Sequence, residues 1–97
     1  MKWFIYIAKC SDDSLYTGIT TDPKRREDEH NFDKTRGARS LRGKLPVRIV
    51  YTEVFNNKTE AAEKEREIKS WDRKKKLLLI NISDSKGFTL SSPKGLS

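Results

Sequence analysis

The sequence holds one cysteine, Cys10, among 97 residues. An intramolecular disulfide and a thiolate metal cage are therefore excluded, and such sparing use suits a reducing cytoplasm. It holds one histidine, His30, which rules out a cluster of imidazole ligands for zinc. No apolar run is long enough to cross a bilayer. The basic-then-apolar start, MKWFIYIAKC, lacks the small-residue cleavage site and the length of a signal peptide, and reads as a strand. No glycine-rich loop precedes Lys-Ser or Lys-Thr, which excludes a P-loop. With one His and no nucleophile elbow, a serine triad has little support. Acidic residues are in deficit: 14 Asp and Glu face 21 Lys and Arg, a net charge of +7. That excess on a small chain favours a polyanionic partner, DNA or RNA before an acidic surface.

What is present is enough for one domain with a modest core and a shallow cleft. Charged residues make up 36% and hydrophobic ones 34%, close to the border of disorder, but two Trp, four Phe and three Tyr argue for folding. Trp3 to Ala8 is a β-rich run, Ser11 to Ser14 supplies turn chemistry, and Leu15 to Thr20 reads as the returning strand of a hairpin. Gly18 weakens that strand and marks a bulge or a close approach. Asp22 and Pro23 suit the start of a helix that reaches His30. It has almost no apolar residue, so no hydrophobic stripe can hold it. Residues 32–46 form a long basic loop with Lys34, Arg36, Arg39, Arg42 and Lys44. Val47 to Phe55 is apolar on both faces, which predicts a central strand. Asn57 and Glu60 form a capping pair for a second helix running to Trp71. Asp72 caps a third, from Arg73 to about Ile82. The domain is expected to span 1–82. The Ser-, Gly- and Pro-bearing stretch 83–97 is expected to be a loose tail, with Phe88 and Leu90 as its possible anchors.

Five positions carry chemistry. Ala61, Glu65, Ile68 and Asp72 share one helix face, so Glu65 is a carboxylate within an apolar stripe. Such a group needs a partner, a metal or an edge position in water. Arg26 and His30 are one turn apart: a guanidinium fork matches phosphate oxygens, and imidazole moves protons near neutral pH. Tyr6 and Tyr16 lie on the two hairpin strands. Core packing suffices for both, and a phenol serves as a base only where a nearby cation lowers its pKa from about 10.

The order Phe4-Ile5-Tyr6, Tyr16-Thr17-Gly18, Arg26, His30, Glu65 resembles the GIY-YIG nuclease superfamily, above all its small single-domain bacterial members. The stretches from Thr17 to Asn31 and from Glu65 to Trp71 carry most of the likeness. Phe4 stands where the first motif has Gly, and Thr17 where the second has Ile. The resemblance implies an α/β (α+β) domain, a three-stranded, mostly antiparallel sheet flanked by helices. It implies a metal-dependent endonuclease that hydrolyses phosphodiester bonds in DNA, at branched, nicked or damaged sites in repair or recombination. Glu65 would hold one Mg²⁺ or Mn²⁺. Arg26 would stabilise charge on phosphorus, and His30 would support the water or the phosphate. Tyr6 would be the base with Tyr16 orienting it, or the reverse, and Gly18 would let the backbone approach. Lys34, Arg36, Arg39, Arg42, Lys44, Lys74 and Lys75 are candidates for gripping the phosphate backbone. Two other readings compete: a nucleic-acid-binding module without efficient cleavage, and a basic structural or ribosome-associated protein.

Overall fold

In the computed structural model, residues 1–33 and 35–88 are described, with the backbone alone at 40, 42 and 83–88. The chain runs β1 (Trp3–Lys9), β2 (Leu15–Thr20), α1 (Pro23–Phe32), a short 3₁₀ turn (Arg39–Lys44), β3 (Arg48–Phe55), α2 (Lys58–Lys69) and α3 (Arg73–Phe88). The three strands form one antiparallel sheet in the order β2-β1-β3, the expected α+β class.

The hairpin closes through Asp13, which takes a left-handed φ of 71°, a conformation a short polar side chain tolerates. Asp12 braces the turn by accepting from the Ser14 amide at 3.0 Å. The central strand is β1, not β3 as its two apolar faces suggested. Ile5, Ile7 and Ala8 are fully buried. The double-sided patterning of β3 has another cause. Its register with β1 shifts between Ile7 and Ala8. Val47 and Ile49 pack on one side of the sheet, while Val50, Tyr51 and Phe55 pack on the other. Both faces are thus lined although the strand lies at the edge.

Ile5, Ile7, Ala61, Ile68 and Ile80 form the core between the sheet and helices α2 and α3. Each buried isoleucine contributes roughly 1.5–3 kcal/mol. Tyr6, Ala8, Cys10, Leu41 and Val47 form a second cluster, in which the 3₁₀ turn contributes Leu41. Asn57 accepts from the Glu60 amide at 2.9 Å and starts α2. Asp72 accepts from the Lys75 amide at 2.9 Å and starts α3. That helix continues to Phe88 rather than stopping near Ile82, and positions 89–97, with Leu90, lie outside the described residues.

Helix α1 is held as its composition requires, by polar groups. Asn31 donates to the Val47 carbonyl at 2.9 Å and accepts from the Val47 amide at 2.7 Å. Glu27 accepts from the Ile49 amide at 2.7 Å. These side chains occupy main-chain groups of the edge-strand region that would otherwise invite another chain. They also fix where His30 and Arg26 point.

Candidate active site

The sheet brings Tyr6 and Gly18 opposite one another in the β1–β2 register. The Tyr6 ring folds over that glycine: a Cβ on residue 18 would lie 2.6 Å from Tyr6 Oη and 2.7 Å from Cζ. The space expected for an approaching backbone is therefore filled by a side chain of the site itself. Tyr6 is only 1% exposed, yet its hydroxyl is not stranded. Tyr6 Oη and His30 Nε2 hydrogen-bond at 2.8 Å. Tyr16 completes an aromatic triangle, its ring centroid 6.2 Å from that of Tyr6 and 5.5 Å from that of His30.

Arg26 enters from the first turn of α1, one turn before His30. Its Nη1 donates to Glu29 Oε1 at 3.0 Å and to the Arg36 carbonyl at 2.6 Å. Its charge also acts on the Tyr6 phenol. Beside it lies a cleft of about 220 Å³ lined by Trp3, Ile19, Thr20, Thr21, Arg25 and Glu29. It is small and open, as the length of the chain led one to expect.

The electrostatics follow from burial. Tyr6 is pushed up to about 12, first by loss of water and then by Tyr16, with Glu65 adding to the rise and Arg26 opposing it. His30 is pushed down to about 4, again by burial first and then by the Arg26 charge. It is thus a neutral imidazole across the physiological range.

Glu65 sits on α2 between fully buried Ala61 and Ile68. Its side chain is 21% exposed and pairs with Lys69 at 3.2 Å. It therefore lies at the rim of the core, and its charge reaches the Tyr6 phenol. Among the described residues no three His, Cys, Asp or Glu side chains converge as a ready metal cage. A hydrated Mg²⁺ asks for less, since one or two carboxylates plus water suffice. Glu65 could supply such a carboxylate.

The basic candidates divide. Arg39 and Lys74 are exposed. Arg36 is exposed and pairs with Asp33 at 3.5 Å. Lys44 faces Asp12 at 4.0 Å. The Lys75 ammonium stands 4.4 Å from the centre of the Trp71 ring, and Lys58 stands 5.3 Å from that of Trp3, so both indoles have lysine over them and pack partly on the core. Lys34 and the Arg42 side chain lie outside the described residues. Glu27, Glu29 and Asn31 escaped the reading of the sequence, which singled out only Arg26 and His30 on α1. Their signal was faint: Glu27 and Asn31 share a helix face one turn apart, as do Arg25 and Glu29.

A hairpin carrying two tyrosines, a helix carrying Arg and His, and a later helix carrying Glu define a GIY-YIG-type nuclease domain. The model of the GIY-YIG catalytic domain matches residues 2–77, and the chain belongs to that nuclease family. It is 49% identical over 73 residues to a UPF0213 protein of Haloquadratum walsbyi, covering 75% of this chain and 80% of that one. It is 47% identical over 77 residues to a UPF0213 protein of Staphylococcus aureus, covering 79% and 92%. The solution NMR structure of the UPF0213 protein BH0048 from Bacillus halodurans is 38% identical and superposes with a TM-score of 0.56, covering 96% of this chain and all of that one. Membership implies a nucleic-acid substrate. Among the described residues no helix is long and apolar enough to cross a membrane.

Proposed function

We propose that the chain is a divalent-metal-dependent endonuclease that hydrolyses phosphodiester bonds in DNA, with branched, nicked or damaged duplexes in repair or recombination as its substrates. The observation that carries the reading is the Tyr6 hydroxyl, packed over Gly18 and bonded to His30 Nε2, with the Arg26 and Glu65 charges acting on the same phenol.

Arg26 stabilises the negative charge that builds on the five-coordinate phosphorus. As the phenolate, Tyr6 takes a proton from the attacking water while Tyr16 and His30 hold its ring and oxygen in place, and the phosphorus bond to the 3′ oxygen breaks with its electron pair left on that oxygen. A divalent ion held by Glu65 would neutralise the phosphate and the leaving oxygen. Exposed Arg36, Arg39 and Lys74 are set to hold the duplex backbone without reading its sequence.

A second reading has its own support. Tyr6 is held protonated by its burial, and Arg26 is already engaged by Glu29 and the Arg36 carbonyl. Such a site binds nucleic acid without cutting it efficiently. A cleavage panel of single-stranded, duplex, flap and branched DNA with Mg²⁺ and Mn²⁺ separates the two. The enzyme reading expects nicks that disappear with chelator, with Glu65→Gln and with Arg26→Ala, while both variants keep the fold. Cleavage undiminished in both variants would remove the assigned site. Salt-sensitive binding with no cleavage under either ion would favour the binding module.

A further inference from the structure

Between α1 and the 3₁₀ turn, the segment Arg36-Gly37-Ala38 runs close against the helix. It is tied back by the Gly37 amide, which donates to the Asp33 carbonyl at 3.0 Å. A Cβ on Gly37 would lie 2.8 Å from the Glu29 carbonyl oxygen and 3.1 Å from His30 Cα. Only glycine permits that approach. The close approach brings two main-chain groups onto the site. The Arg36 carbonyl accepts from Arg26 Nη1 at 2.6 Å. The Ala38 amide donates to His30 Nδ1 at 3.1 Å.

The second bond carries a chemical consequence. A backbone N–H can only donate, so the Nδ1 that receives it holds a lone pair and no proton. A neutral imidazole must then carry its proton on Nε2, and that nitrogen lies 2.8 Å from Tyr6 Oη. His30 is therefore the donor in the pair, and the tyrosine oxygen the acceptor. The Arg26 charge also favours an electron-rich oxygen there; the phenol oxygen receives the imidazole donor, and its own proton is left to point elsewhere. A donor to the oxygen favours the phenolate over the phenol.

Resting on the nuclease reading above, we infer that the main chain of Arg36–Ala38 is a positioning element of the active site. Its carbonyl holds the Arg26 guanidinium, and its amide fixes His30 as the Nε2–H tautomer that donates to the base. The basic loop thus does more than offer charge to a phosphate backbone. Its peptide groups set the direction of a hydrogen bond at the reacting centre.

The test uses the full chain at neutral pH. His30 is the only histidine, so the ring ¹⁵N signals need no assignment. The expected result is a protonated, pyrrole-type Nε2 and an unprotonated, pyridine-type Nδ1. Ala38 has φ −65°, the angle proline enforces, so Ala38→Pro deletes the N–H at a compatible φ and sets the proline Cδ against the imidazole in its place. In that variant the ring signals should shift toward a mixture of tautomers. The kcat on the cleaved DNA should fall by roughly 100-fold with KM little changed, the scale of a misplaced catalytic group. Ala38→Ser keeps the N–H and should keep the parent's ring signature. A protonated Nδ1 in the parent would overturn the inference, as would an Ala38→Pro protein that retains both ring signature and kcat. If Ala38→Pro does not fold, the parent's ring nitrogens decide the matter. If the parent cuts no DNA, the nuclease reading falls, while the same nitrogen signals still decide whether the amide fixes the ring.

Discussion

Gly18→Ala is the smallest change that should damage the site, and its size can be worked from the structure. The added Cβ would lie 2.6 Å from Tyr6 Oη, 2.7 Å from Cζ and 2.9 Å from Cε2, where ordinary contact begins at 3.4 Å. The ring must retreat by about 0.8 Å to reach that contact distance. It has little freedom to do so, being among the largest fully buried side chains and bonded at its tip to His30. Overpacking of this kind costs about 1–3 kcal/mol. In a domain of this size roughly 2 kcal/mol lowers Tm by about 10 °C. The same retreat moves Oη away from the imidazole, and a displacement near 1 Å costs roughly 100-fold in rate. Thermal unfolding followed by circular dichroism reads the first effect, and DNA cleavage the second. The reasoning is refuted if the variant unfolds at the parent's Tm and its cleavage is unimpaired, because the tyrosine then does not lie over residue 18.

Two further outcomes follow from groups in or near the site. Thr17 is buried, and its hydroxyl oxygen has no hydrogen-bond partner among the described residues. Thr17→Val keeps the shape and removes the unpaired oxygen, so it should raise stability by about 1 kcal/mol, seen as a higher Tm; a fall in Tm would mean that the hydroxyl is bonded. His30 titrates at about 4 in the folded chain against the usual 6.5. Between those values the unfolded chain binds more protons than the folded one, so stability rises with pH through that window. It is fully present above the unfolded value and drains away as acid is added. The loss should reach about 1–3 kcal/mol, measured by urea unfolding across the window, and His30→Gln should flatten the profile. An equally steep profile in that variant would place the titrating group elsewhere.

Local chemistry made much of the fold legible. The hairpin showed in its β-rich runs, and all three helix starts showed in Asp22, Asn57 and Asp72, each of which accepts an amide in the first turn. The edge position of β3 did not show, because a shifted register lines both faces with apolar residues and imitates a central strand. The residues that tether α1 were given no role. A side chain that bonds to a main-chain group leaves no complementary residue in the sequence: Asn31 partners the Val47 backbone, and Glu27 the Ile49 amide. The same blindness hid the Arg36 and Ala38 peptide groups behind the charges of a basic loop. Gly18 was visible as an oddity in a strand, but its occupant was not, since the cross-strand pairing with Tyr6 exists only once the hairpin closes.

The place of Glu65 can be tested without any substrate. Burial does most to raise the Tyr6 pKa to about 12; Tyr16 and, more weakly, the Glu65 carboxylate add to it, and Arg26 alone works against the rise. Glu65→Gln removes one of the charges that oppose the phenolate and releases Lys69, whose 3.2 Å partner is lost. Both changes act in one direction, so Tyr6 should deprotonate at lower pH in the variant. Tyr51 provides the control. It too is raised to about 12, but by its own burial and then by Glu53, to which it donates at 2.9 Å. The Cζ carbon signals of the tyrosines, followed as pH is raised, report each phenol separately. In Glu65→Gln the Tyr6 curve should move down while that of Tyr51 stays in place. In Glu53→Gln the pattern should reverse. A Tyr6 curve indifferent to residue 65 would separate the carboxylate from the phenol, and with it remove the support for the proposed metal ligand.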